Sequence, residues 1–251
     1  VDFITVTVIL LAISTAGVLI SIGTMLLPIG GAPAAMFTST GIATGAEMML
    51  TGSGITGILM SAALFREGGL IVMVNAGLSS AIMMSTVMLI CNLLAVYGRG
   101  IPPALYTREK DPVTGENVKI YVTPGTTGHG IPTSCFISGV IGAFLGGFGG
   151  SLTFIPVFRV LMIKSLGLTP SIESIFSQLV EVSGSSAVSS IAAASIAVLG
   201  MFLINANITA YAIRGVIEGW WDPKFKNAPR TALACFLASM VFGFITLLFI
   251  L

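Results

Sequence analysis

The chain has 251 residues, 55% hydrophobic and 8% charged, with a net charge of +1 and a mean hydropathy of +1.03. An ordinary soluble domain is about 25% charged, so a soluble globular fold is excluded. Nucleic-acid binding is excluded too, because it needs Lys and Arg clustered against phosphates and no such cluster is present.

Taken in chain order, apolar runs long enough to cross a bilayer, roughly 20 residues each, fall at roughly 3–27, 34–64, 70–97, 132–158, 182–213 and 231–251. They predict an all-α integral membrane protein of about six transmembrane helices, forming a single polytopic domain over 1–251. The first run has no basic region ahead of it and no clear cleavage site after it, so it reads as a retained span. The second, LPIGGAPAAMFTSTGIATGAEMMLTGSGITGILMSAALF from Leu27 to Phe65, is apolar but interrupted by Pro28, Pro33 and many glycines. It predicts a broken or re-entrant Gly-rich segment in place of a plain helix.

Between the third and fourth runs lies the one sizeable aqueous stretch, 98–131. Asp111-Pro112-Val113-Thr114-Gly115 is a turn signal, and Val118, Ile120 and Val122 alternate with Lys119 and Tyr121, which predicts a small β-hairpin about that turn. Glu173 and Glu181 fall in the run 169–182, read either as an amphipathic interfacial helix or as the entry to the fifth span. Trp220 and Trp221 stand beside charges, as interfacial anchors do.

With six crossings, Arg99, Arg108, Lys110, Lys119, Arg214, Lys224, Lys226 and Arg230 sort to one side, and Arg66, Arg159 and Lys164 to the other. The richer side is cytoplasmic by the positive-inside rule, which makes 98–131 a cytoplasmic loop and puts both termini outside.

Small-residue faces recur. Gly142, Gly146 and Gly150 stand four apart, as do Ser185, Ser189, Ala193 and Ala197, and Gly41 and Gly45 form a further G-x-x-x-G pair. Such faces let helix backbones approach closely in lipid, within the chain or against another subunit. Gly31-Ala32-Pro33-Ala34-Ala35-Met36-Phe37 also resembles Gly130-Ile131-Pro132-Thr133-Ser134-Cys135-Phe136, a pattern that would duplicate the broken segment.

Two acids lie within or at the edge of apolar runs, where a charge at the helix centre costs about 2.5–3.5 kcal/mol on insertion scales and so usually faces protein or water. Glu47 has Thr44 and Thr51 three before and four after it, and Glu181 sits among Ser177, Gln178, Ser183, Ser185 and Ser186. Carboxylate, hydroxyl and freed carbonyl oxygens suit a hard cation and not zinc or copper, so Glu47, Thr44, Thr51 and Glu181 are the candidate cation path. Asn205 and Asn207 read as helix-to-helix hydrogen-bonding groups, and His129 as solvent-facing. Cys91, Cys135 and Cys235 are far apart, indicate no disulfide or metal spacing, and read as small buried hydrophobes. No catalytic motif of nucleotide, hydrolase or metal type is present, so no catalytic residue is assigned.

The block PIGGAPAAM (28–36), the stretch DPVTGENVKIYVTPGTTGHGIP and the run SGVIGAFLGGFGG, in this order, resemble the D subunit of the tetrahydromethanopterin S-methyltransferase of methanogenic archaea. The resemblance covers most of the chain. It implies a membrane component of a multisubunit complex in methanogenesis that transfers a methyl group from methyl-tetrahydromethanopterin to coenzyme M and couples this to sodium export. It further implies that the corrinoid belongs to another subunit, that no cofactor is bound by this one, and that the C and E subunits are its partners in the cell membrane. One departure is Leu26-Leu27, where the family pattern leads to a His-Phe pair ahead of the Pro-x-Gly-Gly-Ala-Pro block. The residues alone leave two other readings open, a stand-alone secondary transporter and a purely structural scaffold.

Overall fold

The computed structural model describes residues 2–27, 49–97, 110, 115, 120–123, 126–129, 133–177, 184–213, 225 and 227–251. Five of its helices are long and apolar enough to cross a bilayer: α1 (Phe3–Leu26), α3 (Gly69–Tyr97), α4 (Thr133–Ser165), α6 (Gly184–Ile213) and α7 (Ala228–Ile250). Between α1 and α3 stand a π-helical turn, Met49–Gly54, and the short α2, Ile55–Ala63. The short α5, Ile172–Phe176, sits between α4 and α6.

Local chemistry accounts for the ends. Asp2 caps α1, accepting from the Thr5 amide at 3.3 Å and from the Thr5 hydroxyl at 2.5 Å. These bonds hold its carboxyl below the usual range. Ser171 and Ser174 form a reciprocal cap on α5. That helix is only five residues long, so no amphipathic helix covers the whole run 169–182: Pro170 and Ser171 precede it and Ser177 closes it. Along the spans, Ser and Thr hydroxyls donate back to carbonyls four residues earlier, as Ser14, Thr24, Ser85 and Thr246 do, which satisfies them without water.

Close approaches fix the directions of the helices. A Cβ placed at Gly142 would stand 2.5 Å from the Gly23 carbonyl oxygen, while one at Gly149 would stand 3.0 Å from that of Ala16, so α1 and α4 are antiparallel. Gly147 meets Ala76 and Ser80 while Val72 and Met73 pack with Ile155, so α3 and α4 are antiparallel as well. It follows that α1 and α3 run in the same direction. Thr209 bonds Ser21 and Asn205 lies beside Gly17, which aligns α6 with α1, and Gly17 against Ser239 with Ile13 against Gly243 sets α7 opposite. One face of the bundle therefore carries the ends of α1, α3 and α6 and the starts of α4 and α7. We call it the hairpin face, and the opposite one the turn face.

Because α1 ends on the hairpin face and α3 starts on the turn face, the chain between Leu27 and Gly69 must cross the bundle. Six long helices are not what makes these passes: among the described residues there are five, and the second crossing is finished by a π-turn and α2. The described part spans about 20 Å by helical rise, short of a hydrocarbon core of about 30 Å. It runs parallel to α4, with Gly57 beside Gly147, Ser61 beside Ser151 and Phe65 beside Arg159, and it reaches the turn face.

Three further expectations are corrected. The second copy of the Gly-x-Pro motif leads into an unbroken helix of 33 residues, α4, even though Pro156 lies inside it. The antiparallel strand pair is β1 (Ile120–Thr123) with β2 (Thr126–His129), Ile120 opposite His129 and Thr123 opposite Thr126. Its connection therefore falls at 124–125, not at the Asp111–Gly115 turn, because Pro124-Gly125 supplies closer turn chemistry between residues able to extend. Third, α4 does not stop near 158 but continues through Arg159 to Ser165. It is the most enclosed span and α7 the least, and the core gathers around α4, with Phe154, Val157, Phe158 and Met162 packed against Ile9, Ile13, Met201 and Phe202.

Candidate functional site

The second crossing is where the backbone departs from regular helix. A π-turn leaves carbonyls without the usual i+4 donor and commonly marks functional positions. Here it ends level with the middle of the α3 span: the Ser80 hydroxyl lies 2.9 Å from the Ser53 carbonyl and 2.8 Å from that of Ala76. About two turns on, the Ser61 hydroxyl lies 2.9 Å from Ser151 Oγ and 2.7 Å from the Gly57 carbonyl. Ser53, Ser61, Ser80 and Ser151 are fully buried, so hydroxyls and carbonyls form a seam where α2, α3 and α4 meet. Thr153 Oγ1, two residues beyond Ser151, is buried with no partner.

Glycine makes that seam possible. A Cβ at Gly147 would stand 2.5 Å from the Ala76 carbonyl and would collide with Ser80, and one at Gly57 would stand 3.0 Å from the Gly147 Cα. Gly52 admits the Met84 methyl, and Gly54 and Gly150 both admit the Phe202 ring.

At the turn-face end of the seam lies Arg159, fully buried. Its Nη1 donates to the carbonyls of Ile175, at 2.9 Å, and Ser177. Its Nη2 donates to those of Phe65, at 3.4 Å, and Glu67. Nε has no partner, and among the described residues no carboxylate pairs with the guanidinium. The Phe65 ring meets Phe158 edge-on at 5.3 Å, and the Arg66 guanidinium lies over the Phe65 ring, 5.7 Å from its centroid.

A second polar network joins α1, α6 and α7. The Ser239 hydroxyl donates to Asn205 Oδ1 at 3.0 Å, and that of Thr209 lies 2.8 Å from Ser21 Oγ and 2.7 Å from the Asn205 carbonyl. Cys235 is buried beside them, its sulfur 3.6 Å from both Thr209 Oγ1 and the Asn205 carbonyl. Asn205 is thus a helix-to-helix bonding group, whereas Asn207 bonds the Leu203 carbonyl of its own helix.

Of the residues singled out in the sequence, Glu47, Thr44, Gly41, Gly45 and Glu181 lie outside the described residues, as do Trp220 and Trp221. Thr51 lies in the π-turn. Gly142 faces α1 and Gly150 faces α6, so this series meets more than one helix within the chain. Ser185, Ser189 and Ala193 face outward, and Ala197 is buried. His129 is in β2. Sequence reasoning missed the hydroxyl seam and Arg159. The signals were Ser at positions 53, 61, 80 and 151 in otherwise apolar runs, and a single Arg inside FIPVFRVLMI.

Comparison with known proteins bears on this arrangement directly. A family profile described as the D subunit of tetrahydromethanopterin S-methyltransferase matches residues 6–239. The chain is 40% identical to the D subunit of that enzyme from Methanocaldococcus jannaschii, with all of both chains covered. It is 41% identical to the one from Methanothermobacter thermautotrophicus, over 95% of this chain and 94% of the relative. It is 39% identical to that of Methanopyrus kandleri, over 94% and 92%.

Proposed function

Since the chain belongs to the family of tetrahydromethanopterin S-methyltransferase D subunits, we propose that its broken second crossing is the part of the complex through which sodium passes when methyl transfer drives export. The chain is a multi-pass membrane subunit of that methyltransferase complex, and the other subunits are its partners. Within the complex its role is conduction and not methyl chemistry. The corrinoid and both methyl transfers lie on other subunits, and the C and E subunits complete the membrane part. The small outward face of Ser185, Ser189 and Ala193 suits a neighbouring helix better than lipid.

The observation that carries this reading is the second crossing itself. It joins opposite faces of the bundle, yet its described part is a π-turn and a nine-residue helix set in a seam of buried hydroxyls and carbonyls. Glu47 stands two residues before that turn in sequence, with Thr51 inside it. Together they offer the oxygen donors that a dehydrated sodium ion requires. The 98–131 loop and the basic residues of the hairpin face are cytoplasmic, on the side where soluble methyl donor and acceptor meet the complex.

Purification tests the assembly. An affinity-tagged chain extracted in mild detergent should run as a large species bearing corrinoid absorbance and methyl transfer to coenzyme M. Migration alone or as a homo-oligomer, without corrinoid, would instead support a stand-alone transporter.

A further inference from the structure

The seam of buried hydroxyls does not reach the turn face open. Above Ser61 and Ser151 it ends at Arg159, eight residues along α4 from Ser151 and so about 12 Å further by helical rise. Two short helices finish there. Phe65 and Glu67 belong to the turn that closes α2, and Ile175 and Ser177 to the end of α5. Helix C-termini present carbonyls with no intrahelical donor, and they favour a cation. One guanidinium serves both ends, each of its two terminal nitrogens bridging a pair of carbonyls.

The planar fork of arginine is what allows this bridging. A lysine ammonium has three donors on a single atom and cannot span two carbonyl pairs in the same way. The position is also electrostatically particular, because Arg159 is fully buried and has no carboxylate partner among the described residues. A group that only needed to fill space there would carry no charge.

We infer that Arg159 is a clasp that closes the turn-face end of the seam: it ties the end of the second crossing to the 175–177 segment and sets a fixed positive charge where a cation would leave. Arg159 is a positioning residue and binds no ion itself. For the seam to open to the turn face, the carbonyls of Phe65 and Glu67 must part from those of Ile175 and Ser177, and the guanidinium must release one pair. The inference rests on the conduction reading above for the identity of the ion, but not for the existence of the clasp.

The clasp is tested by access to Ser61, which lies about 12 Å beneath it along the seam. The complex carrying Ser61→Cys is placed in lipid nanodiscs, where both faces meet a membrane-impermeant, cationic methanethiosulfonate reagent, and modification of that peptide is followed by mass spectrometry. In the resting complex with Arg159 present, modification should be slow. With Arg159→Gln added it should be at least tenfold faster, with Arg159→Lys between the two, and in the Arg159 complex it should also rise during turnover with methyl donor, coenzyme M and sodium. The last comparison needs no substitution at Arg159, so the test stands even where R159Q does not assemble.

In vesicles, R159Q should keep methyl transfer while sodium uptake per methyl transferred falls by half or more. Equal modification rates in the resting Arg159 and R159Q complexes would overturn the clasp, as would unchanged modification during turnover. A proportional loss of methyl transfer and uptake with an unchanged ratio would mark Arg159 as merely structural. Absence of methyl-driven sodium uptake in the unaltered complex would instead sink the conduction reading, while the nanodisc rates would still decide the clasp.

Discussion

Replacing Gly147 by Ala adds one methyl group at the tightest contact of the seam, and its cost can be worked from the structure. The new Cβ would sit 2.5 Å from the Ala76 carbonyl oxygen and collide with the Ser80 hydroxyl. The first is backbone of α3 and cannot swing aside, while the second is held by the carbonyls of Ser53 and Ala76. Overpacking of this kind costs about 1–3 kcal/mol, and displacing the Ser80 bond to Ser53 adds about 0.6 kcal/mol. The helix-propensity gain of Ala over Gly, about 1 kcal/mol, offsets part of this, leaving a net loss of about 0.6–2.6 kcal/mol. For a chain of this size that lowers the midpoint of thermal unfolding by about 1–10 °C. The assay is the temperature at which the chain separates from the detergent-solubilised complex, read on native gels after stepwise heating. Gly68→Ala, where a Cβ meets nothing within 4 Å, is the control and should leave the midpoint within about 1 °C. Equal midpoints for the two variants would refute the close packing of α3 on α4.

The inter-helix bond from Ser239 to Asn205 should show up in a double-mutant cycle. Asn205→Ala and Ser239→Ala should couple by about 0.6 kcal/mol, with about 1.7 as the ceiling for such bonds in a membrane, and zero coupling in the same native-gel stability assay would mean that the bond does not hold α6 to α7. For sidedness, cysteines placed at Thr114 and at Leu166 should react with an impermeant thiol reagent from opposite faces. Thr114→Cys should be labelled only in inverted vesicles and Leu166→Cys only in right-side-out ones. The reverse pattern would turn the bundle over, and labelling of both from one side would contradict the crossing by α4.

Much of this fold was legible because apolar runs in lipid leave the backbone little choice but helix. Four of the long spans matched their runs closely, and the positions of Arg230 and Lys164 sorted to opposite faces by counting crossings alone. The second crossing was legible only as an interruption. Pro and Gly announce that a helix breaks, but whether the chain then returns or continues depends on where its neighbours leave room, here beside Gly147. The glycine series was read along a single face, 142, 146 and 150. In SGVIGAFLGGFGG, however, glycines point in several directions: Gly149 and Gly142 toward α1, Gly147 toward α3 and Gly150 toward α6. A four-residue spacing rule follows one ridge and overlooks the others. Arg159 was taken for a loop charge because the apolar run was ended at Phe158. The helix continues instead, since the ends of α2 and α5 supply the acceptors that a buried guanidinium needs.

The central claim is that the broken crossing carries sodium, and Glu47→Gln tests it most directly. Gln keeps the size and hydrogen-bonding capacity of the side chain and removes its charge, so the complex should assemble with its corrinoid and at normal yield. The account predicts a sodium activation curve for methyl transfer to coenzyme M shifted at least tenfold to higher concentration, with sodium uptake into inverted vesicles reduced in step. An intact Glu47→Gln complex with an unshifted activation curve and full sodium uptake would contradict it.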